Sequence, residues 1–220
     1  MNIRNATTKD LEGILALRDQ LQLSASSYSG RRGFLMGSSR EEYCNFIEHD
    51  VVKILEDEEH VLNGFTVVLL SNSFSRFGVW AKIKPIIDDL GGDTVNISSL
   101  CFYEQIAISP HSEMQYYAKN LAFISLLDAL TQLSYCITTV VERPRENLSS
   151  LPFLKFCGFR RIGSVTEDYA RIKNVNSGVF LLDKQDLITT MLGRYRSGIL
   201  KMIDPMTFGN FIETGSTVRR

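Results

Sequence analysis

Glu104 stands in the apolar run FYEQIAIS, two and four places before Ile106 and Ile108, and Pro110 closes the run. Side chains of an extended strand repeat with period two, so without a bulge these three share one side. A carboxylate in such a run can be a solvated strand charge, a partner for an arginine, or a proton acceptor. Partial burial raises the pKa of the last kind toward neutrality. His111 follows the strand and reads as facing solvent or capping the loop, whereas His49 and His60 lie among acidic residues and read as surface histidines. Cys44, Cys101, Cys136 and Cys157 are too scattered to form a metal-ligand pair, so no metal is expected. They read as reduced and mostly buried. The segment QYYAKN, residues 115–120, is a polar connection into a helix. A helix start attracts anions through its free amides and its dipole.

The elements around these residues can be read from periodicity. MNIRNA reads as a short strand. TTKDLEGILALRDQLQ reads as an amphipathic helix on Leu11, Ile14, Leu15 and Leu17, capped at Thr7 or Thr8. The Ser- and Gly-rich residues 24–38 read as a long loop whose Arg31 and Arg32 are surface charges. Ser39 with Glu42 forms a capping box for a second helix. A hairpin follows, punctuated at Asn63-Gly64, and FTVVLLS is its central strand. Residues 71–97 read as an inserted helix or loop in which Trp80 is a packing residue. NISSLCFYEQIAISP is a strand, KNLAFISLLDALTQL a helix and YCITTVVERP a second strand. That order makes a parallel pair joined by a helical crossover. NLSSLPFLKFCGF reads as a short helix capped near Asn147 or Ser149 and ended by Gly158. Two further strands close the sheet, and residues 185–220 read as a C-terminal extension. The class is α/β: one domain over residues 1–220, a mixed central sheet with helices on both faces.

The chain has 220 residues, a formal net charge of -1 and 22% charged residues. Its near-neutral balance gives no excess positive charge for nucleic acid. MNIRNATTKDLEG lacks the apolar run of a signal peptide, and no stretch reaches the roughly 20 apolar residues of a membrane helix. The expectation is a cytoplasmic protein without nucleic-acid or membrane partners.

Two segments together resemble the GNAT superfamily of acyl-CoA N-acyltransferases. The first is QYYAKN, similar to that family's Q/R-x-x-G-x-G/A loop between a central strand and a helix. Gln115 falls on its first place, Ala118 on the first glycine and Asn120 on the second. The second is NLSSLPFLKFCGF, where Asn147, Ser150, Phe153, Gly158 and Phe159 match the family's N-x-x-A-x-x-F/L-Y helix and the Gly-Phe after it. The resemblance covers roughly residues 1–181 and leaves the insert near 71–97 and the extension near 185–220 as atypical. Both loop glycines are replaced. The tyrosine that often protonates the departing thiolate falls on Leu154, which has no proton to give.

The resemblance implies an acyl-CoA-dependent N-acyltransferase using acetyl-CoA or another acyl-CoA. The acceptor is a small-molecule or peptide amine, and a homodimer is compatible with it. Amides from Tyr116 and Tyr117 through Ala118, Lys119 and Asn120 to Leu121, with Gln115, would hold the pyrophosphate. Ile106, Ala107 and Ile108 would supply the strand amides, and Asn147, Ser150 and Phe153 would line the pantetheine. Glu104 is the base on this reading. Tyr103, Tyr116, Tyr117 and Tyr169 are the substitutes for the missing acid. The alternative is a non-catalytic acyl-CoA-binding or regulatory domain of the same fold.

Overall fold

The computed structural model describes residues 1–21, 37–75, 78–90, 95–110, 116–144, 146–147, 149–169, 172–196, 209 and 211. Seven strands form one mixed sheet in the order β1-β2-β3-β4-β5-β7-β6. They are β1 (Asn2–Asn5), β2 (Val51–Glu56), β3 (Leu62–Leu69), β4 (Leu100–Ile108), β5 (Tyr135–Arg143), β6 (Arg160–Tyr169) and β7 (Ile172–Asp183). β4 and β5 are parallel and every other neighbouring pair is antiparallel.

Helices cover both faces, as the alternating and continuous apolar runs require. On one face lie α1 (Leu11–Leu21), α2 (Arg40–His49), α3 (Ser71–Phe74) and α4 (Val79–Asp89). Their core is built on Ile14, Phe46, Phe74 and Ile83 against Phe65, Val67 and Phe102. On the other lie α5 (Ala118–Ala129), α6 (Ser150–Cys157) and α7 (Lys184–Arg196), packed on Tyr103, Cys136 and Phe180. The crossover helix α5 is buried nearly all round, which is why it shows no polar face in the sequence.

Local signals act as their chemistry dictates. Thr7 with Asp10, and Ser39 with Glu42, form capping boxes, the first ahead of a 3-10 turn that leads into α1. Arg4 bridges Asp10 and Glu56, tying the first strand to the start of α1, and holds both carboxyls below their usual range. Trp80 packs edge-on against Phe74, 5.3 Å between ring centres. Cys101, Cys136 and Cys157 are buried free thiols and Cys44 is half-buried.

One turn lies elsewhere than Asn63-Gly64. The hairpin turns at Asp57–Val61: the Asp57 carboxylate accepts from the amides of Glu59 and Val61, and His60 takes φ 61°. Gly64 sits inside β3, where a Cβ would meet Ile108 Cδ1 at 2.6 Å and the Ala107 carbonyl at 3.0 Å. The glycine permits close approach of β4, not a turn.

Gly158 ends α6 in the left-handed region, φ 95°, and an added Cβ would lie 2.8 Å from Thr190 Oγ1 on α7. Gly158→Ala is expected to cost about 1–2 kcal/mol, read as a lower denaturant midpoint at unchanged slope.

Candidate active site

The central strands part company early. β4 and β5 pair only at Leu100↔Tyr135, Cys101↔Cys136 and Phe102↔Ile137. At the next position the Thr138 hydroxyl donates to the Tyr103 carbonyl at 2.7 Å and closes the apex of the gap. Beyond it a cavity of about 290 Å³ opens, walled by β4 and β5 and reaching α4, α6 and β6.

The unpaired edge of β4 has a defined phase. The Ser109 amide donates to the Asn63 carbonyl, and the register continues through Ile108↔Gly64, Ala107↔Phe65 and Ile106↔Thr66. Antiparallel residues alternate in the edge they serve. Ala107, two places before Ser109, therefore turns its N–H and C=O to β3. Ile106 and Ile108 turn theirs toward the gap. This corrects the expectation that Ala107 offers its amide to a ligand, while the edges of Ile106 and Ile108 are open.

Glu104 lies where the ladder slips. Val67 pairs with Gln105 and Val68 with Tyr103, so Glu104 is the extra residue of a β-bulge. The shared side with Ile106 and Ile108 does not survive this. Ile106 packs with the α5–α7 core, whereas Gln105 turns to the other face and accepts from the Tyr43 hydroxyl of α2 at 2.6 Å. The charges that act on Glu104, Glu42 of α2 and Glu167 of β6, put its carboxylate on that second face. It lines the cavity and is half-buried. Burial pushes its pKa up to about 7; the two glutamates push the same way and a hydrogen bond with the Gln105 side chain opposes.

The start of α5 is uncapped by any side chain. Ala118 is its first residue, and among the described residues the amides of Ala118, Lys119 and Asn120 have no acceptor. The Leu121 amide donates to the Tyr117 carbonyl, which takes Leu121 out of the expected anion cradle. The Asn120 side chain is buried, its Oδ1 without a partner among the described residues, so it points into the protein and leaves the helix end open. Lys119 reaches over the Phe156 ring of α6, Nζ 4.3 Å from its centre. Tyr116 is exposed and meets Tyr117 edge-on. Gln115 and His111 lie outside the described residues.

Asn147, Ser150, Phe153 and Leu154 all line the cavity. The Asn147 side-chain oxygen accepts from the amides of Ser149 and Ser150, so it also caps α6. Leu154, on which the tyrosine falls in the family resemblance, is buried. Among the substitutes, Tyr103 lies nearest the apex. Its hydroxyl has no hydrogen-bond partner among the described residues, and burial raises it well above the usual phenol range. The side chain of Tyr169 lies outside the described residues. Glu167 carried no local signal in the sequence, and only the pairing of β6 with β7 brings it to the cavity.

Solved structures share this architecture. An N-acetyltransferase from Staphylococcus aureus Mu50 superposes with a TM-score of 0.56 at 16% identity, over 83% of this chain and 97% of its own. The ribosomal-protein-alanine N-acetyltransferase of Brucella melitensis gives 0.56 at 13% identity, over 83% and 99%. The spermidine/spermine N-acetyltransferase SpeG of Vibrio cholerae, in mutant form, gives 0.56 at 15% identity, over 86% and 97%. The fold is that of the GNAT acetyltransferases. No family model and no curated protein matches the chain. In the GNAT-type topology found here the parallel pair and the helix crossing between its strands agree with the arrangement the sequence implied. No helix among the described residues is long and apolar enough to cross a membrane.

Proposed function

We propose that the chain is an N-acyltransferase that moves an acyl group, in the first instance acetyl, from acyl-CoA to an amine in the cytoplasm. The observation that carries this reading is the two-sided gap. Amides of the α5 start that have no acceptor among the described residues, and the open edge of Ile106 and Ile108, lie on or beside the α5–α7 face, and a half-buried carboxylate meets the same cavity from the other face. The residues present fit acyl-CoA. The amides of Ala118, Lys119 and Asn120 would hold its pyrophosphate, and Asn147, Ser150 and Phe153 would line its thiol end. When bound, acyl-CoA supplies an activated thioester.

Glu104 removes the proton that keeps the acceptor ammonium from attacking. Of the three protons on that ammonium, Glu104 takes one, one is left for the departing sulfur, and one stays on the new amide. The N–H groups of Ile106 and Ile108 face the region where the thioester oxygen gains charge. The cavity walls hold amine and thioester together in one orientation. The insert at 71–97 and the extension at 185–220 belong to the same single domain on this reading, and α4 contributes Val79 to the cavity, with Gly78 just before it. Proteins of this fold named above act on a ribosomal-protein alanine and on spermidine or spermine. A peptide amine and a small-molecule amine therefore both fit the proposal.

Calorimetric titration with acetyl-CoA tests the reading, with thermal shift alongside. Saturable binding near one equivalent is the expected result, and no heat and no shift overturn it. Leu154 in place of a tyrosine favours a second reading, an acyl-CoA-binding domain without turnover. Binding without release of free thiol, over a panel of amines, would establish that one.

A further inference from the structure

Glu104 and Gln105 are consecutive in β4, and consecutive residues of a regular strand turn to opposite faces. The bulge opposite Val67 and Val68 removes that alternation, so both side chains come to the α1–α4 face. There they are hydrogen-bonded to each other. An ionised carboxylate only accepts, so the contact takes an N–H of the Gln105 amide. The same amide nitrogen donates to the Ser38 hydroxyl at 3.2 Å, and the amide oxygen accepts from the Tyr43 hydroxyl at 2.6 Å. The plane of the Gln105 amide is therefore set from three sides.

Those partners are held in turn. Tyr43 is buried edge-on to Phe46 and Phe65, with ring centres 6.0 and 5.8 Å away. Arg18 of α1 lies 6.0 Å from the centre of the Tyr43 ring and donates to the Ser38 carbonyl at 2.6 Å. Helices α1 and α2 and residue 38 thus converge on one amide of the central strand. Glu42 of α2 and Glu167 of β6 act on Glu104 with like charge, whereas Lys82 of α4 is turned to the Thr166 carbonyl. Against the two glutamates, the Gln105 hydrogen bond favours the charged carboxylate.

Resting on the acyltransferase reading, we infer that Gln105 is the positioning residue of the base, holding the Glu104 carboxylate by one N–H while Tyr43 and Ser38 fix its amide. It acts through Glu104 and takes no part in bond making. A base must meet the ammonium at hydrogen-bond distance with a lone pair aimed at the proton. A carboxylate released from that hold loses turnover, and donor binding on the α5–α7 side is unaffected.

Gln105→Met keeps the length of the side chain and removes its donors and its acceptor. With acetyl-CoA and the best acceptor of the amine panel, the pH at which kcat/KM levels off should rise by about 1, because a hydrogen bond to a charged group is lost. Plateau kcat should fall by about tenfold or more, with acetyl-CoA affinity held. Tyr43→Phe leaves the N–H in place and should move the limb the same way by less. If Gln105→Met fails to fold because the Tyr43 hydroxyl has lost its acceptor, Tyr43→Phe/Gln105→Met removes both groups and should show the same rise. A folded variant with the wild-type limb overturns the inference and leaves the acyltransferase reading standing; a packing role would lower stability alone. NMR titration of carbon-13-labelled glutamate side chains reads the same group without turnover, the Glu104 signal being the one lost in Glu104→Gln. An upward move of that titration in Gln105→Met, in a chain that acetylates no amine, upholds the hold on Glu104 although the acyltransferase reading has failed. An unmoved titration sinks the inference in either case.

Discussion

Glu104→Gln is expected to lower the turnover number by about 10- to 1000-fold, the usual worth of a general base, with little change in acetyl-CoA affinity. The side chain keeps its size and can still hydrogen-bond Gln105, and the α5 amides are untouched. What is lost is the site for the ammonium's proton. Partial burial raises the carboxyl to about 7, and Glu167 on β6 and Glu42 on α2 add to this; Tyr43 and Gln105 also lie beside it. Wild-type kcat/KM should therefore climb with pH and level off above about 7, and the variant should lack that limb. Stability should move the other way. The folded pKa lies above the ordinary 4.5, so between those values the folded chain holds a proton that the unfolded chain has released. The protein is favoured at low pH and loses stability as pH rises toward 7, by about 3 kcal/mol at most. Glu104→Gln removes that loss, so the variant should unfold at higher denaturant than wild type at alkaline pH and gain no such advantage in acid. A solvated strand charge would show neither effect. Wild-type turnover with an unaltered pH profile would return Glu104 to that role.

Legibility in the sequence tracks how local each cause is. The cap at Thr7 or Thr8, which falls on Thr7, the capping box at Ser39, the stop at Gly158 and the parallel pair around α5 rest on periodicity and on residues a few places apart. The face of Glu104 does not follow from period two, because the bulge that sets it arises from pairing with Val67 and Val68, distant in the chain. Asn63-Gly64 has the composition of a turn, yet Asp57 supplies better local acceptors, and the close approach of β4 accounts for the glycine instead. Tyr43 meets Gln105 across a separation of 62 residues, and nothing near either residue announces it. Glu167 is similar: it shares period two with Gly163 and Val165, but only the register of β6 on β7 brings it to the cavity. Gln115 and most of the long loop at 24–38 lie outside the described residues, so the part of the anion cradle assigned to Gln115 stands on the resemblance alone.

Ala118→Asp should reduce acetyl-CoA affinity by tenfold or more while leaving the fold slightly more stable. The two effects have opposite signs because one feature causes both. Ala118 opens α5, whose first turn carries no acidic residue and no side-chain cap. A carboxylate there meets the positive end of the helix dipole, worth about 0.3–1 kcal/mol. It then occupies the amides that an incoming pyrophosphate needs and repels that phosphate as well. A single repulsion screened by solvent to about 1.4 kcal/mol already amounts to a tenfold loss. Proline at the same position is a less clean probe. It removes an N–H and suits the first helical place, but Tyr117 before it sits at φ -82°, ψ -12°, a region disfavoured ahead of proline. Titration with acetyl-CoA and with dephospho-CoA, alongside thermal melts, reads the result. Both ligands should weaken alike, because they share the pyrophosphate and differ only at the ribose phosphate and at the acetyl end. An unchanged affinity in a variant of raised melting temperature would show that the phosphates bind elsewhere, and the α5 start would then be only a structural helix end.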